Sequence, residues 1–254
     1  MSISRDERIN SFWKQVYSEV DDGGYISDDV LLNHYRFLVE ERELIECIEQ
    51  YSLKNSRKMA LDIGCGNGKF TEIMADYFEH VDAIDLSEEI IAKNREKSKR
   101  DNCFYHCESL EEFAKRVDAH YDFIYVGGVL MYIDDSKIED NYKALEKLLN
   151  KEAVLVLRES VMSSERVDNL SESYIAYYRQ CDYYQKFLDL KLLEKKENLA
   201  YRTSELRNVL TRLRLGFLFN KNLYQKLLIL LKLKDRLWKP NYNKLVNYYY
   251  IFRR

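Results

Sequence analysis

The residues with the clearest capacity for chemistry lie in one short segment. Leu61-Asp62-Ile63-Gly64-Cys65-Gly66-Asn67-Gly68 joins an apolar run to a helical one. A strand-to-helix turn of this kind aims backbone amides at a ligand above a sheet. Asp85 follows Gly64 by 21 residues and ends the next apolar run. An acid there can accept both hydroxyls of a ribose. The chain has eight glycines, and seven of them fall at 23–24, at 64, 66 and 68, and at 127–128. Glycine used so sparingly points to backbone that needs positive φ or close approach to a ligand. All three clusters are candidate ligand contacts.

The elements that must position these residues are legible as patterns. A helix is expected over 4–20, with Ile9, Phe12, Trp13, Val16 and Tyr17 on one face, and a second over 28–51. Strands are expected at 58–63, 80–85, 103–107, 121–126 and 153–159, alternating with helices at 68–78, 87–99, 110–116 and 135–149. This alternation predicts an α/β fold, a parallel sheet with helices on both faces. Beyond it, a tyrosine-rich helical stretch is expected over 168–188, a sixth strand at 190–197, helices over 203–239 and a final strand at 247–254 closing the sheet. Pro240, the only proline, ends the helices before that strand.

The turn also says which nucleotide fits. A dinucleotide turn usually reads GxGxxG, whereas this one is GxGxG with Asp62 two residues before the first glycine. An acid there repels a pyrophosphate but can orient an ammonium group. S-adenosylmethionine has an amino acid end, a ribose and an adenine, and no phosphate. The segment resembles the first motif of the class I S-adenosylmethionine-dependent methyltransferases, and the resemblance spans roughly 58–160 with five strands in order. It implies a Rossmann-like, doubly wound, mostly parallel seven-stranded sheet with an N-terminal helical lid and a helical insertion before the last strand. It also implies cofactor contacts at Asp62, Gly64, Cys65, Gly66, Asp85 and the adjoining Leu86. Glu108 and Ser109 would meet the adenine, although Ser109 also suits a plain helix N-cap. Gly127 would line the methyl-donor pocket, unless Gly127-Gly128 is simply a turn.

Two flanking resemblances imply different acceptors. FWKQVYSEVDDGGYIS (12–27) is similar to the N-terminal segment of protein N-terminal methyltransferases, which implies that Trp13, Gly24 and Tyr25 border the site. VLMYIDDSKIED (129–140), LRESV (157–161) and YYRQCDYYQKF (177–187) resemble phosphoethanolamine N-methyltransferases. The chain departs from the first family beyond the fifth strand, with Ser160 after Arg-Glu and SESYIAYY before Arg179. Methyl transfer is governed by proximity and orientation, and a hydroxyl acceptor adds the need for a base. Base candidates are Tyr25, His34, Tyr132, Glu159 and Tyr174. Glu159, expected at the end of strand five, is favoured; with Arg158 it could equally serve as scaffold. His34 reads more simply as a packing or surface histidine.

Composition bounds the rest. Hydrophobic residues at 46% and charged residues at 33% exclude a disordered or fibrous chain. The longest apolar run, 227–231, is far short of the roughly 20 residues of a membrane span. MSISRDERINSFW lacks an apolar signal core, so the five cysteines are expected as reduced thiols in a cytoplasm. Cys103 and Cys107 have no second pair to complete a zinc set, and no metal is expected. A single domain is expected over 1–254: a lid (1–57), a donor-binding core (58–160) and an acceptor-side region (161–254). Residues 200–254 carry 13 Lys/Arg against Glu205 and Asp235, a balance of +11 that contrasts with the chain's net −3. Their amphipathic part, 223–239, reads as a lid helix, or as a contact with an anionic membrane surface or acceptor; nucleic acid is disfavoured because no RNA-binding module is appended. The acceptor is expected to be a small or carrier-linked molecule.

Overall fold

Strand residues alternate between two faces, and this sequence fills both. In β5 (Leu149–Met162), Leu155, Leu157 and Val161 enter one apolar cluster, and Val154 and Val156 enter another. The first cluster is completed by α4 (Leu110–Arg116) and α5 (Asp135–Leu148) through Phe113, Leu145 and Leu148. The second is completed by α1 (Val30–Tyr51) and α2 (Lys69–Met74) through Leu44, Cys47, Ile48 and Met74. The computed structural model describes residues 8–9, 11–15, 30–52, 57–171, 174–202, 212 and 244–254.

The sheet has seven strands in the order β3-β2-β1-β4-β5-β9-β8. These are β1 (Met59–Ile63), β2 (His80–Asp85), β3 (Cys103–Cys107), β4 (Tyr121–Gly127), β5, β8 (Lys191–Glu197) and β9 (Leu245–Arg253), with α3 (Glu88–Lys97) joining β2 to β3. β1 to β5 pair in parallel, and β9 runs antiparallel to both β5 and β8. The expected doubly wound, mostly parallel sheet is therefore observed. Strand order reverses between β1 and β4, and such switch points open a crevice at the carboxyl ends of the strands.

Three expectations are corrected. The stretch 168–188 is not one helix: β6 (Val167–Leu170) and β7 (Ile175–Tyr178) form a separate two-stranded sheet, followed by α6 (Tyr183–Phe187). Tyrosine and isoleucine suit a pleated surface, and Ser171 Oγ bridges the turn by accepting from Tyr174 N at 3.0 Å and donating to Tyr174 O at 2.8 Å. β5 runs on to Met162 because β9 pairs with it along its whole outer half, so Glu159 lies inside the strand rather than at its end. The final strand does not form the edge; β9 sits between β5 and β8. The helix expected over 4–20 is helical at 8–9 and 11–15, while the Gly23-Gly24 turn and, residue 212 apart, the helices expected over 203–239, including 223–239, lie outside the described residues.

α1 is tied to the sheet by buried polar groups. Glu40 is fully buried and accepts from Arg158 Nη1 at 3.1 Å and Asn198 Nδ2 at 2.7 Å. Asn198 donates on to Asn247 Oδ1 at 2.9 Å, and Asn247 donates to Ser160 Oγ at 2.9 Å.

Candidate active site

The turn after β1 is built from hydrogen bonds to the end of β2. Gly64 N and Cys65 N donate to Ile84 O at 2.9 and 3.0 Å, and Gly66 N donates to Asp85 Oδ2 at 3.1 Å. Ser87 N holds the other carboxylate oxygen at 3.0 Å. Asn94 secures the far side by donating to Gly66 O at 2.7 Å. Gly64 has φ +68°, and a Cβ there would lie 2.3 Å from Val129 Cγ2. The turn after β4 thus closes onto the turn after β1, and only glycine permits it.

Asp62 is 2% exposed and accepts from Thr71 Oγ1 at 2.7 Å. Burial pushes its carboxyl up to about 7, against the pull of the Thr71 hydrogen bond and with some help from the Asp85 charge. Burial also raises Asp85, against the amides of Ser87, Gly66 and Leu86. The Cys65 thiol is raised by burial, which makes it a packing group rather than a nucleophile.

These residues line a cavity of about 1480 Å³ at the switch point. Asp62, Gly64, Cys65, Gly66 and Asp85 form its wall near β1 and β2, with the exposed Leu86 beside them. Glu108 and Ser109 line it after β3. Ser109 is at the same time the N-cap of α4, accepting Glu112 N at 3.2 Å, and Glu108 is held by Arg116 Nε at 2.9 Å. Gly127 and Tyr132 line it after β4, together with Trp13 from the N-terminal segment. The Trp13 ring meets Tyr132 edge-on at 5.3 Å, Phe12 meets Tyr174 at 5.0 Å, and the Tyr132 and Tyr174 rings lie 6.0 Å apart. The phenol oxygens continue the contact, Tyr132 to Tyr174 at 3.3 Å and Tyr174 to Tyr178 at 2.9 Å. Gly24 and Tyr25 lie outside the described residues. His34 is an exposed residue of α1 and is not among the lining residues.

Glu159, favoured as a base in the sequence, is placed differently. It is fully buried, does not line the cavity, and its carboxylate accepts the amides of Val129, Leu130 and Met131. A carboxylate sealed behind a turn cannot reach an acceptor's proton. Its neighbour Arg158 does line the cavity, donating to Tyr125 Oη at 3.1 Å, to Glu40 and to Gly127 O at 2.9 Å. Sequence reading missed Glu40, which also lines the cavity; its signal was an acid four residues before Leu44 on the buried face of α1.

The methyltransferase domain family matches residues 60–152, from β1 through the start of β5. Over 96 residues the chain is 28% identical to the malonyl-[acyl-carrier protein] O-methyltransferase of Bacillus anthracis, covering 37% of this chain and 35% of that protein. Residues 60–152 thus carry a methyltransferase domain. It is also 26% identical over 151 residues to phosphoethanolamine N-methyltransferase 1 of Triticum aestivum, covering 58% of this chain and 29% of that protein. The chain thus spans about a third of the length of the curated relatives it matches. In fold, the chain is similar to the N-methyltransferase NodS from Bradyrhizobium japonicum WM9 in complex with S-adenosyl-L-homocysteine, with a TM-score of 0.60, 15% identity, and coverage of 96% of this chain and 97% of that one.

S-adenosylmethionine is the cofactor of this methyltransferase domain, and the residues present fit it. The amides of Gly64, Cys65 and Gly66 are engaged by β2, so they serve to shape the turn rather than to cradle a pyrophosphate.

The Gly64 geometry sets a test. Gly64→Ala must move either Val129 or the turn, and it adds a side chain at positive φ. It is expected to lower unfolding stability by about 1–3 kcal/mol, measured by chemical denaturation. A loss within about 0.3 kcal/mol would show that the two turns do not depend on this contact.

Proposed function

We propose that the protein transfers a methyl group from S-adenosylmethionine to an oxygen or nitrogen of a small or carrier-linked polar acceptor. The observation that supports this best is that one cavity is shared by the glycine turn with Asp85 and by the Trp13–Tyr132 pair, whose phenol oxygen is polar. The cofactor supplies a methyl group already activated by a sulfonium sulfur, so the chain's task is orientation and water exclusion.

In this reading Asp85 accepts the ribose hydroxyls, its carboxylate aimed by two backbone amides. Leu86, Glu108 and Ser109 border the adenine, and Gly127 leaves room beside the methyl donor. Asp62 sits near the ammonium of the amino acid end. Aromatic faces at Trp13 and Tyr132 attract a cationic methyl group. Tyr132 offers its hydroxyl to the acceptor's N–H or O–H, with Tyr174 behind it. The +11 balance of residues 200–254 favours an anionic acceptor, because such a field raises its local concentration. The malonylated carrier and phosphoethanolamine named for the two relatives are both anionic, and they are the first acceptors to try. No helix among the described residues is long and apolar enough to cross a membrane.

Methyl-labelled S-adenosylmethionine incubated with the protein and each of these two acceptors is expected to yield a labelled product with at least one. No transfer to either, nor to a panel of amines and hydroxy acids, would overturn the acceptor class.

Asp85→Ala is expected to weaken S-adenosylmethionine binding by about 1.5–3 kcal/mol through loss of charge-assisted hydrogen bonds, while the fold survives. Calorimetric titration measures this, and unchanged affinity in a folded variant would remove Asp85 from the site.

Asp62 is raised to about 7, so at pH 6 it is mostly protonated in the free protein. An ammonium brought beside it favours the carboxylate, and binding then releases a proton. Cofactor affinity should therefore rise with pH up to about 7 and level off above it. Titrations at pH 6 in two buffers of different ionisation heat should differ; equal heats would place the ammonium elsewhere.

A further inference from the structure

Two charged residues of the core, Glu159 and Arg179, are both fully buried, and both hold the turn after β4. Glu159 Oε1 accepts the amides of Val129 and Leu130 at 3.0 and 2.9 Å, and Oε2 accepts the amide of Met131 at 3.2 Å. Arg179 works on the carbonyls. Its Nη1 donates to Leu130 O at 2.8 Å and its Nη2 to Ile133 O at 2.6 Å. Its Nε and Nη2 also reach Asp135 Oδ1 at 3.1 and 2.8 Å, and Asp135 is held from the other side by Arg166.

An isolated buried charge is costly; here amides of the turn satisfy Glu159, and carbonyls of the same turn together with the Asp135 carboxylate satisfy Arg179. Stability alone does not call for charges at these positions, because apolar replacements of buried ionic groups are often neutral or stabilising. What the arrangement fixes is backbone direction. An anion gathers three successive N–H groups while a cation gathers two C=O groups, so the turn has one conformation that serves both. Tyr132 lies inside this clamp, and it is the turn residue that contacts Trp13 and Tyr174 beside the cavity.

We propose that Glu159 and Arg179 are positioning residues, which set the Tyr132 side chain on the acceptor side of the cavity by clamping the backbone of 129–133. The inference rests on the methyl-transfer reading of that cavity. Neither residue touches donor or acceptor; both act through Tyr132. This gives Glu159 of β5 and Arg179, which directly follows β7, a common purpose that their separation in sequence conceals.

The test uses the full-length chain. Glu159→Gln keeps the size of the side chain but turns an NH2 group toward backbone amides. Hydrogen exchange is expected to quicken at least tenfold in 128–134 and to stay unchanged in 103–107, the edge strand β3. With Trp238→Phe as background, Trp13 is the sole tryptophan. Its emission should change on Glu159→Gln and should no longer respond to that substitution once Tyr132 is replaced by Ala. In turnover of the labelled-methyl assay, Glu159→Gln should reduce kcat at least tenfold and leave the dissociation constant of S-adenosylmethionine within twofold. In a Tyr132→Phe chain the same substitution should cost less than a further twofold.

Losses that multiply in the double variant, Trp13 emission indifferent to Glu159→Gln, or a cofactor affinity that falls as far as kcat would each overturn the proposal. Should Glu159→Gln fail to fold, Arg179→Lys keeps the charge but cannot span two carbonyls and Asp135, and it is held to the same outcomes. Failure of the methyl-transfer reading would look different: the wild-type chain would transfer no label, while the exchange and emission changes would remain.

Discussion

Three successive amides of the turn after β1 are held by the end of β2, two by the Ile84 carbonyl and one by the Asp85 carboxylate. The rest of the donor side depends on this hook. It fixes the turn at the switch point of the sheet and turns Asp85 toward the cavity. It also commits to the fold the N–H groups that a phosphate-binding turn would offer to its ligand. The donor that matches such a wall is a nucleoside without phosphate, and the cofactor of the family has that property. The close approach of Val129 to Gly64 then couples the turn after β1 to the turn after β4.

Across the cavity the constraint is of another kind. The turn after β4 is shaped by buried charges that come from β5 and from the end of β7, not by its own sequence. The donor wall is thus set by short-range geometry, a glycine turn and the neighbouring strand. The wall around Tyr132 is assembled from elements far apart in the chain. Glu40, on the buried face of α1, reaches Arg158 and joins the N-terminal helix to the same assembly.

This division decides how much could be read in advance. The strands over 59–63, 80–85 and 103–107 and the helix over 110–116 were legible because apolar alternation, Gly64 and the Ser109–Glu112 capping box are local signals. Asp85 was legible because its distance from Gly64 follows from one helix and one strand. Glu159 was legible as an important acid but not in its role, since its partners are backbone amides 28–30 residues earlier. The stretch 168–188 was misread because tyrosines at several spacings satisfy a helical face as readily as a strand. The side chain that closes the turn at Ser171 carries no periodic signal. Arg179 was hidden by the same misreading, because a helical arginine in a polar stretch suggests a solvated face rather than a buried clamp.

The central claim is that the cavity at the switch point takes a phosphate-free nucleoside donor, recognised by the hook at Asp85 and the acid at Asp62. Competition between S-adenosylmethionine and the dinucleotide NAD for the wild-type chain, followed by calorimetry at pH 7.5, as a neutral-range condition near which Asp62 is ionised, tests it most directly. The account predicts saturable binding of S-adenosylmethionine at one site that NAD does not displace. Binding of NAD that displaces S-adenosylmethionine, or heat from NAD alone, would contradict it.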